Sequence, residues 1–359
     1  VRRLGPIRGA VALAVICAMT VGRGPAAAAA DRDADGLPDA WEESGVTAAG
    51  QFIDLPAMGA DPDRADVFVH ADWMADTTHD QRPDPEAIRR VVEAFARAPY
   101  TAPTGAMGIA LHVDAGPDSV MRAPDVRWGA LSRARRLIWR DNLGRFVDGV
   151  YDWGEFLALK SAPDGFLASG RAPVFRYAVF AHFHDRDDPK GSGASGISRG
   201  IGGTDLLVTL GNFTDGVGSV REQAGTLMHE LGHNLGLRHG GDDDTNFKPG
   251  YASVMNYAFQ MSGITRSGER GVLDYSRGTP AVLDEAFAPE ATLLETEDGA
   301  PLAACVAPGA ARSGSTADVV AGPGERAGRP FDDWARIRLR AGGIGAGPAI
   351  SGDARPAES

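Results

Sequence analysis

The chain is poor in cysteine. It has two, Cys17 and Cys305, in 359 residues, too few for the disulfide framework that holds small extracellular domains together. Aromatic residues make up 7%. No apolar run approaches the ~20 residues that span a bilayer, which excludes a multi-pass membrane protein. Positive charge is also scarce: 36 Lys and Arg against 48 Asp and Glu leave a net charge of −12. Residues 1–30 hold four arginines and no acid, so the other 329 residues carry −16. Such a body repels phosphate backbones, which argues against nucleic acid as a partner, and it gathers cations. With 43% hydrophobic and 23% charged residues, the chain is globular and long enough for one large core or two modest ones.

Arg2, Arg3 and Arg8 precede an apolar run at 10–19 and a small-residue stretch at 26–30. This is the order of a secretory signal peptide over residues 1–30, with cleavage after Ala28 or Ala30. The expected location is therefore extracellular, by bacterial export, with no membrane attachment after cleavage. Cys17 follows Ile16, where a lipid-anchored cysteine would need a small residue before it. Removal of the signal leaves Cys305 alone, so packing and bound metal are left to hold the exported chain.

Residues 31–42 read D-R-D-A-D-G-L-P-D-A-W-E. Asp31, Asp33, Asp35, Asp39 and Glu42 occupy positions 1, 3, 5, 9 and 12 of a twelve-residue calcium loop. Gly36 stands at position 6, and Leu37 would offer its backbone carbonyl from position 7. A hard cation takes many oxygens, and the loop brings them round one point. The signal peptide ends where an entering helix would stand, so the loop is read as a half-motif carrying Ca2+ within an N-terminal segment, 31–66. A solvated acidic leader is the competing reading.

Strands are expected at 67–73, 109–113, 175–183 and 206–210, and an amphipathic helix at 85–98 from Ile88, Val91, Val92 and Phe95. Residues 191–196 read as a flexible loop and 341–359 as a disordered tail. Ser219 and Glu222 form an S-x-x-E capping box that opens a further helix. On it Val220, Ala224, Leu227, Leu231 and Leu235 make one apolar stripe. His229 and His233, one turn apart, point roughly 170° from the stripe's centre at 3.6 residues per turn. A continuous helix would carry His239 out of reach, about 240° round and ~9 Å along. Gly236 lies between, and glycine readily takes the left-handed conformation that ends a helix. With that turn His239 can return as a third nitrogen. Three imidazoles leave a fourth position open, as in catalytic zinc sites, and Glu230 is the candidate general base and acid.

Ser253-Val254-Met255-Asn256-Tyr257 follows. The sequence H-E-L-G-H-N-L-G-L-R-H with this downstream methionine resembles the metzincin clan of zinc endopeptidases. The stretch from about 61 to 285 is similar to bacterial secreted reprolysin-like or pappalysin-like enzymes through A-D-V-F-V-H-A-D-W-M, F-R-Y-A-V-F-A-H and K-P-G-Y-A-S-V-M-N-Y. The resemblance implies an α+β catalytic domain over 67–340. A twisted mixed β-sheet and its helices would lie above the cleft, to about 236. An irregular subdomain, 237–340, would lie below. It implies that Met255 floors the metal site, that Tyr257 ligates zinc or stabilises the oxyanion, and that 206–210 is the cleft-edge strand receiving extended polypeptide substrates. The expected activity is hydrolysis of peptide bonds by zinc-activated water. The alternatives are a non-proteolytic extracellular calcium- and zinc-binding module, or a zinc amidase acting on cell-wall peptides. His182 and His184, His70 with Asp72, His112 with Asp114, and Asp242 to Asp244 are read as structural or solvated groups.

Overall fold

A computed structural model describes residues 29–122, 125–188, 191, 193–248, 251–278, 294–295, 301–302 and 331–340. The signal-peptide reading for 1–28, Cys17, Cys305 and the 341–359 tail lie outside the described residues.

The centre of the fold is β1, Asp66–Ala75, all ten residues of which are buried. A strand buried on both faces belongs inside a sheet whose two sides are covered. Side chains alternate along it. Val67, Val69, Ala71 and Trp73 enter one core, while Phe68 and Met74 enter the other with Trp128, Phe156, Phe166 and Tyr177. Parallel strands flank β1: β2 (Ala110–Asp114) and the short β3 (Arg136–Ile138) on one edge, and β4 (Phe175–Ala181) on the other. Next come β5 (Gly196–Ser198) and β6 (Asp205–Thr209), in the spatial order β5-β6-β4-β1-β2. All pairings are parallel except β5 with β6. The result is a mixed central sheet with few helices, an α+β arrangement.

This order corrects one expectation. The segment 206–210 was to be the cleft-edge strand, but β6 lies between β4 and β5 and all five of its residues are buried. The edge is β5, which begins at Gly196, the last residue of the stretch read as a loop. Strand order is set by hydrogen bonds across the sheet, which leave no local trace in the chain.

The first helix, α1 (Asp39–Ser44), closes the acidic loop. Helix α2 (Pro85–Ala96) starts where the Asp84 carboxylate accepts the Glu86 N–H at 2.7 Å, with Pro85 at the first helical position. It buries Ile88, Val91, Val92 and Phe95, in the same core as the apolar side of α3 (Val220–Asn234). The α3 capping box is complete: Ser219 Oγ accepts from Glu222 N–H at 3.3 Å, and Glu222 Oε2 accepts from Ser219 N–H at 2.7 Å. Every α3 residue from Gln223 to Asn234 is buried. The helix is thus covered on both sides, and its imidazole face lies under the chain that follows rather than on open surface.

Beneath the sheet's second face, His70 Nε2 and Asp72 Oδ1 are 2.8 Å apart, Tyr177 donates to Asp72 at 2.9 Å, and the Arg171 guanidinium bonds Asp114 at 2.5 Å. His112 pairs with Asp66 rather than Asp114. Their carboxylates, imidazoles and phenol find partners in one another, and Arg171 Nε alone in the group has none.

Candidate metal centre

His229 and His233 lie one turn apart on α3, with ring centroids 4.8 Å apart and planes nearly perpendicular at 89°. Each ring's outer nitrogen is committed. His229 Nδ1 lies 2.8 Å from the Val254 carbonyl and His233 Nδ1 lies 2.9 Å from the Leu237 carbonyl. A carbonyl oxygen only accepts, so the network assigns the proton of each neutral ring to Nδ1 and leaves Nε2 as a bare lone pair. The two Nε2 atoms face each other at 3.2 Å, which between lone pairs is repulsive. It is also close to the ~3.3 Å separating two ligands of a tetrahedral zinc with bonds of about 2.0–2.1 Å.

His239 completes the set. Its ring lies 4.8 Å from that of His233 and 5.3 Å from that of His229, and the three imidazoles offer ligand atoms all within 4.8 Å of one another. The turn that returns it is a Schellman motif: Leu237 N–H donates to Gly232 O at 2.9 Å and Gly236 N–H to His233 O at 3.0 Å. Gly236 has φ +98°, a conformation that costs an L side chain energy. All three histidines are at most 5% exposed. Burial depresses His233 to about 3 and His239 to about 4, and with the neighbouring imidazoles holds His229 well below the ordinary histidine range. The rings are thereby kept neutral, the form that binds metal.

The carbonyl that orients His229 is itself fixed. Val254 N–H donates to Asp274 O at 3.0 Å. Asp333, buried and far along the chain, accepts from Tyr251 Oη at 2.8 Å, Ser253 Oγ at 2.6 Å and Ser276 N–H at 2.9 Å. Met255 N–H donates to Ser253 Oγ at 3.2 Å. Met255 is fully buried, and its sulfur fills the space that a Cβ on Gly232 would occupy, between the two helical histidines. Asp333 was absent from the expected site because nothing local in the sequence connects it to Ser253.

Glu230 is 4% exposed, and its Oε2 is buried without a hydrogen-bond partner. Burial raises its carboxyl to about 8, opposed by the Ser198 hydroxyl. It abuts edge strand β5: a Cβ on Gly196 would lie 2.8 Å from Glu230 Cγ and 2.9 Å from Oε1. Ser198 Oγ donates to the Glu230 carbonyl at 2.7 Å. Gly196, the last residue of the stretch read as a loop, and Ser198, outside every element expected from the sequence, therefore lie against Glu230. The Tyr257 ring lies 4.7 Å from that of His239 and 5.4 Å from that of His229. Burial and the Glu230 charge raise its phenol above the usual range. It opens the short α4 (Tyr257–Gln260), capped by the Asn256 side chain accepting from Ala258 N–H.

The acidic loop is gathered differently from its sequence pattern. Asp33, Asp35 and Glu42 converge with Asp66 of β1, their ligand atoms within 4.8 Å of one another. Asp31 is exposed and accepts the Gly36 N–H at 3.1 Å. Asp39 is engaged by Arg32 at 3.0 Å. Leu37 buries its side chain and donates its N–H to Asp35 at 2.7 Å. Burial, with mutual repulsion, raises Asp33 to about 7, Asp35 to about 8 and Glu42 to about 10.

The remaining histidines and acids find ordinary partners. His184 Nδ1 is 2.9 Å from Thr209 Oγ1, and His182 stands over Trp139 at 4.9 Å. Lys248 pairs with Asp242 and Asp243, and Arg238 pairs with Asp244. No family model matches the chain, and no curated protein matches it.

Proposed function

We propose that the chain is a secreted zinc-dependent endopeptidase of metzincin type, with His229, His233 and His239 as metal ligands and Glu230 as general base and acid. The observation that carries this reading is the pair of Nε2 lone pairs 3.2 Å apart, each ring having its proton fixed elsewhere. That arrangement is costly in the metal-free chain and fits a shared divalent cation. Three neutral nitrogens suit zinc better than a hard cation, which prefers oxygen.

His229, His233 and His239 would hold the zinc, which when bound would supply a water of lowered pKa, about 7, and a Lewis acid for a carbonyl. The chain's own groups supply the rest. Glu230, with one carboxylate oxygen free, is placed to take a proton from water and deliver it to the leaving amine, a service worth about 10²–10⁴ in rate. Beside a bound cation its carboxyl ionises more easily than in the metal-free state. Edge strand β5 offers its outer side to an extended polypeptide, which adds as a further strand through backbone hydrogen bonds. Gly196 keeps that strand pressed on Glu230, so backbone pairing and proton transfer occur at one place. Tyr257, beside His239, would donate to a developing oxyanion.

Three features support the metzincin reading: an antiparallel edge strand on an otherwise parallel sheet, a ligand helix ending at a left-handed glycine, and a buried methionine under that helix. The test is Glu230→Gln in the full chain. It is expected to retain one zinc per molecule by metal analysis and to lose hydrolysis of casein and of a peptide library by at least about 10². Unchanged turnover by the variant refutes Glu230's role. A zinc-loaded wild type that cleaves no peptide refutes the endopeptidase assignment.

A further inference from the structure

A second buried cluster lies apart from the three histidines. Asp33 and Asp35 come from the loop, Glu42 from the first turn of α1, and Asp66 from the first residue of β1. They are at most 3% exposed. Four carboxylates in one dry place repel unless something positive stands among them. Asp66 Oδ1 faces His112 Nε2 at 2.5 Å and its Oδ2 accepts the Asp61 N–H at 2.8 Å. Asp35 accepts the N–H groups of Leu37 and Asp66, at 2.7 and 2.6 Å, and Asp33 Oδ1 accepts that of Asp35 at 3.3 Å.

The other oxygens have nothing. Both Glu42 carboxylate oxygens and Asp33 Oδ2 are buried with no hydrogen-bond partner, on side chains 1% and 0% exposed. Among the described residues no lysine or arginine forms an ion pair with Asp33, Asp35 or Glu42. Arg176, a buried guanidinium whose charge reaches Asp35, donates instead to the Arg340 carbonyl at 2.9 Å. A buried carboxylate left this way costs several kcal/mol unless a cation fills the gap.

We propose that Asp33, Asp35, Glu42 and Asp66 bind one calcium ion, which fastens the N-terminal loop to the central strand. The donors are all oxygen. Their atoms lie within 4.8 Å of one another, inside the ~5 Å that two ligands can span across an ion with bonds of 2.3–2.6 Å. Magnesium holds its waters and demands octahedral geometry, which four convergent buried carboxylates do not favour. The ion's function is structural: it joins two segments 24 residues apart, Glu42 and Asp66, that otherwise repel.

The test uses the full chain with its zinc retained and calcium chloride as titrant. Calorimetry and metal analysis are expected to find one calcium per chain and a raised melting temperature. Glu42→Gln and Asp66→Asn should each weaken calcium at least tenfold. Glu42→Asp keeps the charge but shortens its reach, and serves if the neutral variants do not fold; it should lose affinity while still folding at saturating calcium. Absence of calcium uptake by wild type overturns the site. Wild-type affinity in Asp66→Asn overturns the fastening of loop to strand. Zinc content read in the same samples keeps this result separate from the fate of the endopeptidase assignment.

Discussion

The molecule holds two buried clusters of like groups, and they solve opposite problems. In the histidine trio burial keeps the rings neutral, and those of His229 and His233 direct their protons to backbone carbonyls. Only lone-pair repulsion is left, so the trio can stay assembled with no ion between its nitrogens. In the acidic cluster every ligand is a potential anion, and Glu42 has no hydrogen bond to either oxygen. Without a cation it can persist only by holding protons. Neutral nitrogen sites can thus be preorganised by second partners, whereas a carboxylate site needs its ion to be stable at neutral pH.

Four experiments break or sharpen that contrast. The largest effect is expected from His239→Ala: zinc content and peptide hydrolysis should fall to background while calcium affinity stays within twofold of wild type. Loss of both metals together would show that the two clusters are not independent. Gly196→Ala comes next. The added methyl would press on Glu230 and on the Leu207 carbonyl 2.7 Å away, so kcat/KM should drop by about 10–10² through misplacement of the base with zinc content unchanged.

The third is a pH series of thermal melts. Asp33, Asp35 and Glu42 have native pKa values of about 7, 8 and 10, above the ~4 of an unfolded carboxyl. Between these limits the native state holds more protons than the unfolded chain. The stabilisation is therefore complete below about pH 4 and is lost as pH rises through the native values. Metal-free protein should lose several degrees in melting temperature between pH 5 and about 8. Saturating calcium should abolish that slope, because the ion keeps the carboxylates ionised. A flat metal-free profile would contradict the cluster's protonation. The smallest effect is that of Ser253→Ala, which removes the hydroxyl between Asp333 and the Met255 N–H. It should cost about 1–2 kcal/mol in denaturant unfolding and leave calcium affinity unchanged.

The two clusters also differ in how far they could be read from the chain. His229 and His233 are legible because helical periodicity alone puts residues i and i+4 on one face. His239 follows from a single glycine placed where a helix can end. The Ser219 and Glu222 capping box is equally local, and both of its hydrogen bonds are formed. The acidic loop was half legible. Its spacing marks Asp33, Asp35 and Glu42, but Asp31 and Asp39 turn to other partners, and Asp66 carries no motif at all. It reaches the loop only because β1 starts there.

The edge strand shows the same limit of local information. Leu206 to Leu210 looks like any strand, and its continuous buried run fits an interior position as well as an edge. Gly196 to Ser198 looks like a loop until Val208, Leu207 and Leu206 give it partners.

What the chain encodes within one turn or one loop could be read directly: the helix and its cap, the imidazole pair, the glycine that ends it, and the carboxylate spacing before α1. Those features arise from contacts between residues a few positions apart, whose geometry the backbone fixes. The edge strand, the fourth carboxylate and the Asp333 anchor under the methionine were settled only by folding. They depend on strand pairing and on meetings between residues 24 to 82 positions apart, and such meetings are chosen by the packing of the whole sheet and core.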